Sequence, residues 1–252
     1  MVGSIFLFGD QHYNFAETSR PFIEAAGGAS AKIAMLTEGG ERASPYVARI
    51  TAPWKDIGVE VVILGPVQYA GEPDEAMAQK LRECSGIFMC GGETRNYQRI
   101  YVESLLGDII RERYWEGVPY AGVSAGALLA AGDCALWGGV VTTATNEYYA
   151  RYRGCYDPAE GSIELQIGKG LGLLHGCVFE PHFAEVGGFP RLVTVMERTG
   201  VTDGYGLDEP ICLVFEGGKP AQVLGRGRLY HLRRQGERKF ELEVHEPGEE
   251  LQ

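Results

Sequence analysis

The chain has 252 residues, 45% apolar and 23% charged, an ordinary globular composition with apolar material for a sizeable core. A formal net charge of -11 repels phosphate backbones, which excludes nucleic acid and anionic membrane surfaces as expected partners. The longest apolar runs fall far below the ~20 residues of a membrane helix, and Met1-Val2-Gly3-Ser4 lacks the basic start of a secretory leader, so the chain reads as cytoplasmic.

Short apolar, β-branched runs alternate with helical patterns through the first two thirds. Residues 5–8, 32–36, 59–64, 86–89 and 120–123 predict buried strands, because they lack polar alternation and are bounded by Gly, Pro or Asp. Helices are expected at 21–26, 45–57, 74–84, 96–116 and 125–131. Such alternation implies right-handed crossovers and an α/β fold, a mostly parallel doubly wound sheet flanked by helices. Residues 138–170, rich in Tyr and Gly without periodicity, predict a long loop excursion near a functional site. A strand at 177–179 and a helix at 190–198 resume the alternation. Four short strands within 211–245 then predict a small C-terminal antiparallel extension of the same domain, with a frayed tail from Glu246. No linker or internal repeat divides the chain, so residues 1–252 are expected to form one domain.

Six cysteines (84, 90, 134, 155, 177 and 212) show no C-x-x-C pair, so no metal site and no cofactor is expected, and the thiols read as small core residues. Cys90, beside Gly91-Gly92, is the one thiol kept as a reactive candidate.

The chemistry concentrates at Gly122-Val123-Ser124-Ala125-Gly126. Ser124 falls where a strand candidate meets a helix candidate. Glycines two positions either side relieve the crowding of a sharp strand-to-helix turn, letting the serine project from the sheet edge as a nucleophile. The helix start places the Ala125 N–H where a developing oxyanion needs a donor. A second donor is expected from the paired glycines of Cys90-Gly91-Gly92-Glu93-Thr94, at another strand end; Thr94 and Asn96 also read as caps of the next helix. Of five histidines, His182 follows a strand directly, at the end where open α/β sheets build sites; His12 is the second choice, and His175, His231 and His245 rank below. The carboxylate that orients the histidine is expected from Gly206-Leu207-Asp208-Glu209, with Asp208 and Glu209 both open.

These pieces resemble the cyanophycinase and dipeptidase E family of serine peptidases, whose fold is similar to class I glutamine amidotransferases. The resemblance rests on Cys90-Gly91-Gly92, on Gly122-Val123-Ser124-Ala125-Gly126-Ala127, on Gly170-Leu171-Gly172-Leu173-Leu174, on His182-Phe183 and on Gly206-Leu207-Asp208-Glu209. They stand in the family's order over roughly residues 5 to 225. It implies Ser124 as nucleophile, His182 as base and Glu209 as acid, with Gly92 and Ala125 forming the oxyanion hole. It also implies a small-peptide substrate and, by family habit, a homodimer.

The chain departs from the family where aspartyl-arginine specificity is set. Glu180-Pro181 replaces the Asp-Gln before the histidine, Gly91-Gly92-Glu93-Thr94 replaces Gly-Gly-Asp-Gln, and the following arginine-rich stretch keeps only Arg191. Gly91, Glu93, Thr94, Glu180 and Arg191 are the candidate substrate contacts, with Arg151 and Arg153 in the excursion as anchors for a substrate carboxylate. The expectation is a serine hydrolase, a peptidase of cyanophycinase type acting on small peptides or isopeptides at aspartyl residues. An esterase or amidase using the same triad, and a non-catalytic binding protein of the same fold, are the alternatives.

Overall fold

The computed structural model describes residues 2–11, 13–66, 75–138, 164–249 and 251. Its main sheet has seven strands: β1 (Ile5–Phe8), β2 (Lys32–Leu36), β3 (Glu60–Leu64), β4 (Gly86–Met89), β5 (Tyr120–Val123), β10 (Ile211–Glu216) and β11 (Lys219–Gly225). They lie in the order β11-β10-β1-β5-β4-β2-β3. Pairings among β1 to β5 are parallel, and β10 and β11 join antiparallel beside β1. Every residue of β1, β4 and β5 is buried. Since successive strand residues face opposite sides, both faces of the central strands are covered. The five apolar runs that predicted parallel strands therefore all form them.

Helix periodicity is broken by local sterics at two places. The expected helix at 96–116 is two, α5 (Thr94–Tyr101) and α6 (Leu105–Trp115). The chain folds back tightly at the break: a Cβ at Gly107 would lie 2.4 Å from the Val102 carbonyl oxygen. Likewise, α7 stops after one turn, Ala125–Leu128, because the following residues turn to bond with the segment 170–174.

The C-terminal third departs from one antiparallel extension. Its strands divide between two sheets. While β10 and β11 extend the main sheet, β12 (Leu229–Gly236) and β13 (Lys239–His245) join β8 (Cys177–Pro181) and β9 (Asp203–Leu207) in a second sheet of order β13-β12-β9-β8. In it β8 and β9 are parallel. The tail is also tied down, since Gly248 and Leu251 donate backbone hydrogen bonds to Val223 and Ala221. Of the expected excursion, 166–169 form strand β7, which pairs antiparallel with β6 (Asp133–Trp137). Residues 139–163, with Arg151 and Arg153, lie outside the described residues, as does His12.

Candidate active site

Three strand ends of the main sheet converge. Registers place Phe8 beside Val123 and Met89 beside Gly122, so the residues after β1, β4 and β5 share one edge. Ser124 sits there with φ 52° and ψ −109°, a sparsely populated conformation that native packing must hold. Two glycines make the turn possible: a Cβ at Gly122 would lie 2.3 Å from the Gly126 carbonyl oxygen, and one at Gly126 would lie 2.3 Å from that of Met89. The Tyr120 hydroxyl donates to the Gly126 carbonyl at 2.7 Å and braces the turn from beneath.

The histidine and the acid arrive from the second sheet. Pro181 pairs with Leu207 across β8 and β9, so His182 and Asp208 leave their strands side by side, with Glu209 one residue on. Phe183 fills the space left by Gly206, where a Cβ would lie 2.4 Å from the ring; this ring locks the two strand ends together. His182 takes a left-handed conformation, φ 55°, and opens the short helix α8 (Phe183–Val186). The segment carrying Glu209 is fastened to β1 by Asp10 N–H to the Glu209 carbonyl at 3.0 Å and Gly9 N–H to the Ile211 carbonyl at 3.2 Å.

The result is a linear array. His182 Nε2 lies 2.9 Å from Ser124 Oγ, and His182 Nδ1 lies 2.8 Å from Glu209 Oε1. Both are hydrogen-bond distances. With Nδ1–H donating to Glu209, the Nε2 lone pair faces the serine hydroxyl, the tautomer a general base needs. The His182 side chain is only 6% exposed, so this geometry is shielded from competing water. Asp208 takes no part: its carboxylate accepts from the Ala184 and Arg228 N–H groups at 3.3 and 3.0 Å. Burial holds Asp208 above the usual carboxylate range, with those two hydrogen bonds opposing the shift. Asp10 adds a second carboxylate 3.8 Å from His182 Nδ1. Asp10, His182 and Glu209 could share a cation, but the 2.8 Å Nδ1–Oε1 contact is shorter than the ~3.3 Å edge of a tetrahedral zinc site. It is a hydrogen bond.

Ser124 and His182 open into a cleft of about 660 Å³ whose walls include Gly91, Gly92, Asp10, Tyr46 and Arg49. Gly91 lies beside the serine: a Cβ there would sit 3.4 Å from Ser124 Cβ, in ordinary contact. The Tyr97 hydroxyl donates to the Gly91 carbonyl at 3.2 Å. In a trans peptide the N–H points opposite the C=O, so this bond turns the Gly92 N–H away from Tyr97. Arg49 stacks over the Tyr46 ring, 5.5 Å from its centroid. No carboxylate among the described residues pairs with it. Burial pushes the Tyr46 hydroxyl well up, with Gln11 and the Gly91 backbone partly opposing. Glu38, beneath Gly92, is also raised by burial, and the Asn96 amide, donating at 3.1 Å, opposes the shift.

Several expected contacts lie elsewhere. Glu93 caps α5, accepting from Arg95 N–H and pairing with the Arg95 guanidinium at 3.2 Å, and Thr94 begins that helix. Neither lines the cleft. Glu180 is wholly buried and held by Arg191 through contacts of 2.7 and 2.6 Å. The two form a buried ion pair, and neither lines the cleft. Cys90 is fully buried and desolvation pushes its thiol far up, so it is core and not a nucleophile. Sequence reasoning missed Asp10, Glu38, Tyr46, Arg49 and Tyr97. Only Asp10 carried a usable signal, its place just beyond β1; the others lie on helices or loops that become neighbours through the fold.

Comparison with known proteins places this architecture. Residues 7–223 match the model of peptidase family S51, and the chain belongs to that family. It is 28% identical over 209 residues to cyanophycinases from Synechococcus elongatus and Thermosynechococcus vestitus, covering 82% of this chain and 60% of each relative. The chain thus spans less than two thirds of the length of those relatives. A cyanophycinase from Trichormus variabilis is 25% identical over 215 residues, 84% of this chain and 67% of that one. Among solved structures, a peptidase from an acI-B1 actinobacterium superposes with a TM-score of 0.72 at 18% identity, covering 100% of this chain and 97% of the other. The fold is the mostly parallel, helix-flanked α/β sheet that the resemblance to class I glutamine amidotransferases implies.

Proposed function

We propose that this chain is a serine peptidase in which Ser124 is the nucleophile, His182 the general base and acid, and Glu209 the carboxylate that orients the imidazole. The observation that carries this reading is the Ser124–His182–Glu209 array, with spacings of 2.9 and 2.8 Å, at the head of the cleft. His182 Nε2 takes the serine proton as Oγ attacks the carbonyl carbon, and the oxyanion settles against the Gly92 and Ala125 N–H groups. Collapse breaks the C–N bond, with His182 returning the proton to the leaving amine. Water, deprotonated by the same imidazole, then attacks the acyl-enzyme and frees the carboxylic acid and Ser124.

A cleft of about 660 Å³ suits a small peptide rather than a folded protein. Arg49 and the polar wall around it favour a substrate that carries a carboxylate near the scissile bond, consistent with aspartyl peptides or isopeptides. The test is covalent labelling by a fluorophosphonate probe, located at Ser124 and absent from Ser124→Ala. It is followed by turnover of dipeptides, isoaspartyl peptides and short-chain esters. Labelling with preferred cleavage of acidic dipeptides or isopeptides supports the reading. Cleavage of esters alone would replace it with an esterase, and folded protein that neither labels nor turns over any substrate would overturn it.

A further inference from the structure

A second cluster of ionisable side chains stands on the second sheet, on β12 and β13, with His231 level with Tyr205 at the middle of β9. We propose that His231, Glu243 and His245 form a binding site for one divalent transition-metal ion of zinc type, open to ligands from solvent. The inference does not depend on the peptidase reading.

The strand register builds the site. His231 on β12 lies directly across from Glu243 on β13, and His245 is two residues further along β13, so the three side chains share one face. His231 Nδ1 is 3.8 Å from Glu243 Oε2, and His245 Nε2 is 3.6 Å from the same oxygen. All three donor atoms lie within 4.8 Å of one another. Zn–N and Zn–O bonds of ~2.0–2.1 Å give tetrahedral edges of about 3.3 Å, so modest side-chain rotation closes the triangle around an ion.

Both imidazoles are already oriented for ligation. His231 Nε2 bonds Asp203 Oδ1 at 2.7 Å, and His245 Nδ1 bonds Glu249 Oε2 at 3.2 Å. With each carboxylate accepting the N–H of its own ring, His231 Nδ1 and His245 Nε2 would present lone pairs to the Glu243 carboxylate. Two lone pairs and an anion facing one another call for a cation between them, and a carboxylate behind each ligating imidazole is the usual outer shell of a protein metal site. His231 is further fixed by stacking on Tyr205, with ring centroids 4.5 Å apart and planes 17° apart. The Arg233 guanidinium approaches the other Glu243 oxygen, Oε1, at 3.8 Å, and so leaves Oε2 for the ion. Two imidazoles and one carboxylate favour zinc-type ions over Ca²⁺ or Mg²⁺, which prefer all-oxygen sites. A cleft of about 450 Å³ lined by these residues leaves the remaining coordination position open to water or a small anion. An ion here would tie β13, at the edge of the sheet, to β12 and, through Asp203, to β9.

The alternative occupant is a proton, with His231 an imidazolium held between Asp203 and Glu243. Titration of the untagged, metal-free full chain with Zn²⁺ against a chromophoric chelator, and with Co²⁺ by visible absorption, separates the two. The site predicts one ion per chain, a Co²⁺ spectrum of tetrahedral or five-coordinate type, and a rise in Tm with Zn²⁺. His245→Gln and Glu243→Gln, both at the sheet edge, should fold, as checked by circular dichroism, and lose that ion. Asp203→Asn should weaken binding about 10–100-fold, and His182→Gln should leave the stoichiometry unchanged. Absence of stoichiometric binding, binding that survives both His245→Gln and Glu243→Gln, or binding lost in His182→Gln overturns the proposal.

Discussion

The buried Tyr97 hydroxyl donates to the Gly91 carbonyl across 3.2 Å, and through the rigid trans peptide it sets the direction of the Gly92 N–H. A side chain on α5, outside the Ser124–His182–Glu209 array, thereby orients the backbone N–H proposed as an oxyanion donor. Tyr97→Phe keeps the ring and removes only this bond. Expected is a fall in kcat of about 10-fold, less than the ~10²–10³ for losing an oxyanion donor outright, with KM little changed. Stability should fall by about 1 kcal/mol. Steady-state kinetics with a thermal melt check both; an unchanged kcat would mean the peptide holds its orientation without the hydroxyl.

Adjacent glycines should fail differently. Gly91→Ala meets Ser124 Cβ at an ordinary 3.4 Å, so the variant should fold normally yet crowd the acyl group and lower kcat/KM. In Gly92→Ala the new methyl would lie 2.7 Å from the Tyr97 ring and 2.9 Å from Glu38 Oε1. That variant should lose stability by about 1–3 kcal/mol as well as activity. Paired kinetics and denaturant titrations distinguish the two.

Neighbouring carboxylates divide stability from chemistry. Asp208 accepts two backbone N–H groups, so Asp208→Asn sets an amide NH₂ against an N–H and should cost about 1–3 kcal/mol. Glu209→Gln should leave the melt nearly unchanged and cut kcat by several orders of magnitude, because the histidine loses the partner that fixes its tautomer. The reverse assignment of effects would transfer the orienting role to Asp208.

Burial raises the Glu185 carboxyl above the ordinary range, and Asp208 and Glu209 nearby add repulsion, while backbone N–H groups, Glu209's among them, partly oppose. A group that holds its proton more tightly when folded favours the fold at low pH. That contribution disappears as pH rises from the ordinary carboxylate pKa through the raised one. Glu185→Gln retains an oxygen for the Glu209 N–H without the charge. Its Tm should exceed that of the parent at neutral pH by about 1–3 °C, an amount that allows for solvent screening. The gap should close below about pH 4, where the Glu185 carboxyl of the parent takes up its proton in the unfolded chain as well as the folded one. Melts across pH 3 to 8 measure it.

The Glu180–Arg191 pair should matter to folding and not to catalysis. Glu180 is wholly buried, and Glu180→Gln leaves the Arg191 guanidinium without its counter-charge, at a cost of about 3–5 kcal/mol. Where the variant remains folded, KM for small acidic peptides should be unchanged. A large KM increase without loss of stability would return these residues to the substrate site.

The strained turn at Ser124 and the parallel strands were legible because their causes are local. Gly122 and Gly126 flank Ser124 by two residues each, and the clashes they avoid, with Gly126 and Met89 carbonyls, belong to one strand-to-helix turn and its adjacent strand. Apolar runs such as Ile5–Phe8 and Tyr120–Val123 state their burial on both faces directly. Position at strand ends also brought out His182, and the family resemblance brought out Glu209. Composition could not reveal that Glu180 and Arg191 pair with each other, since a buried ion pair and a substrate clamp use the same residue types.

What the tertiary structure alone decided is the convergence. His182 is 58 residues from Ser124 and 27 from Glu209, and no periodicity reports that their strands lie in a second sheet docked against the edge of the first. Arg49 and Tyr46 are neighbours on one helix, but only the packing of that helix brings them to the cleft of Ser124 and His182. The histidines at 231 and 245, which ranked below His182 as bases, acquire a common carboxylate only when β12 and β13 pair in register. Sequence encodes the conformations that neighbouring atoms impose on the chain. Sites are made where packing brings distant strand ends and faces within hydrogen-bond reach.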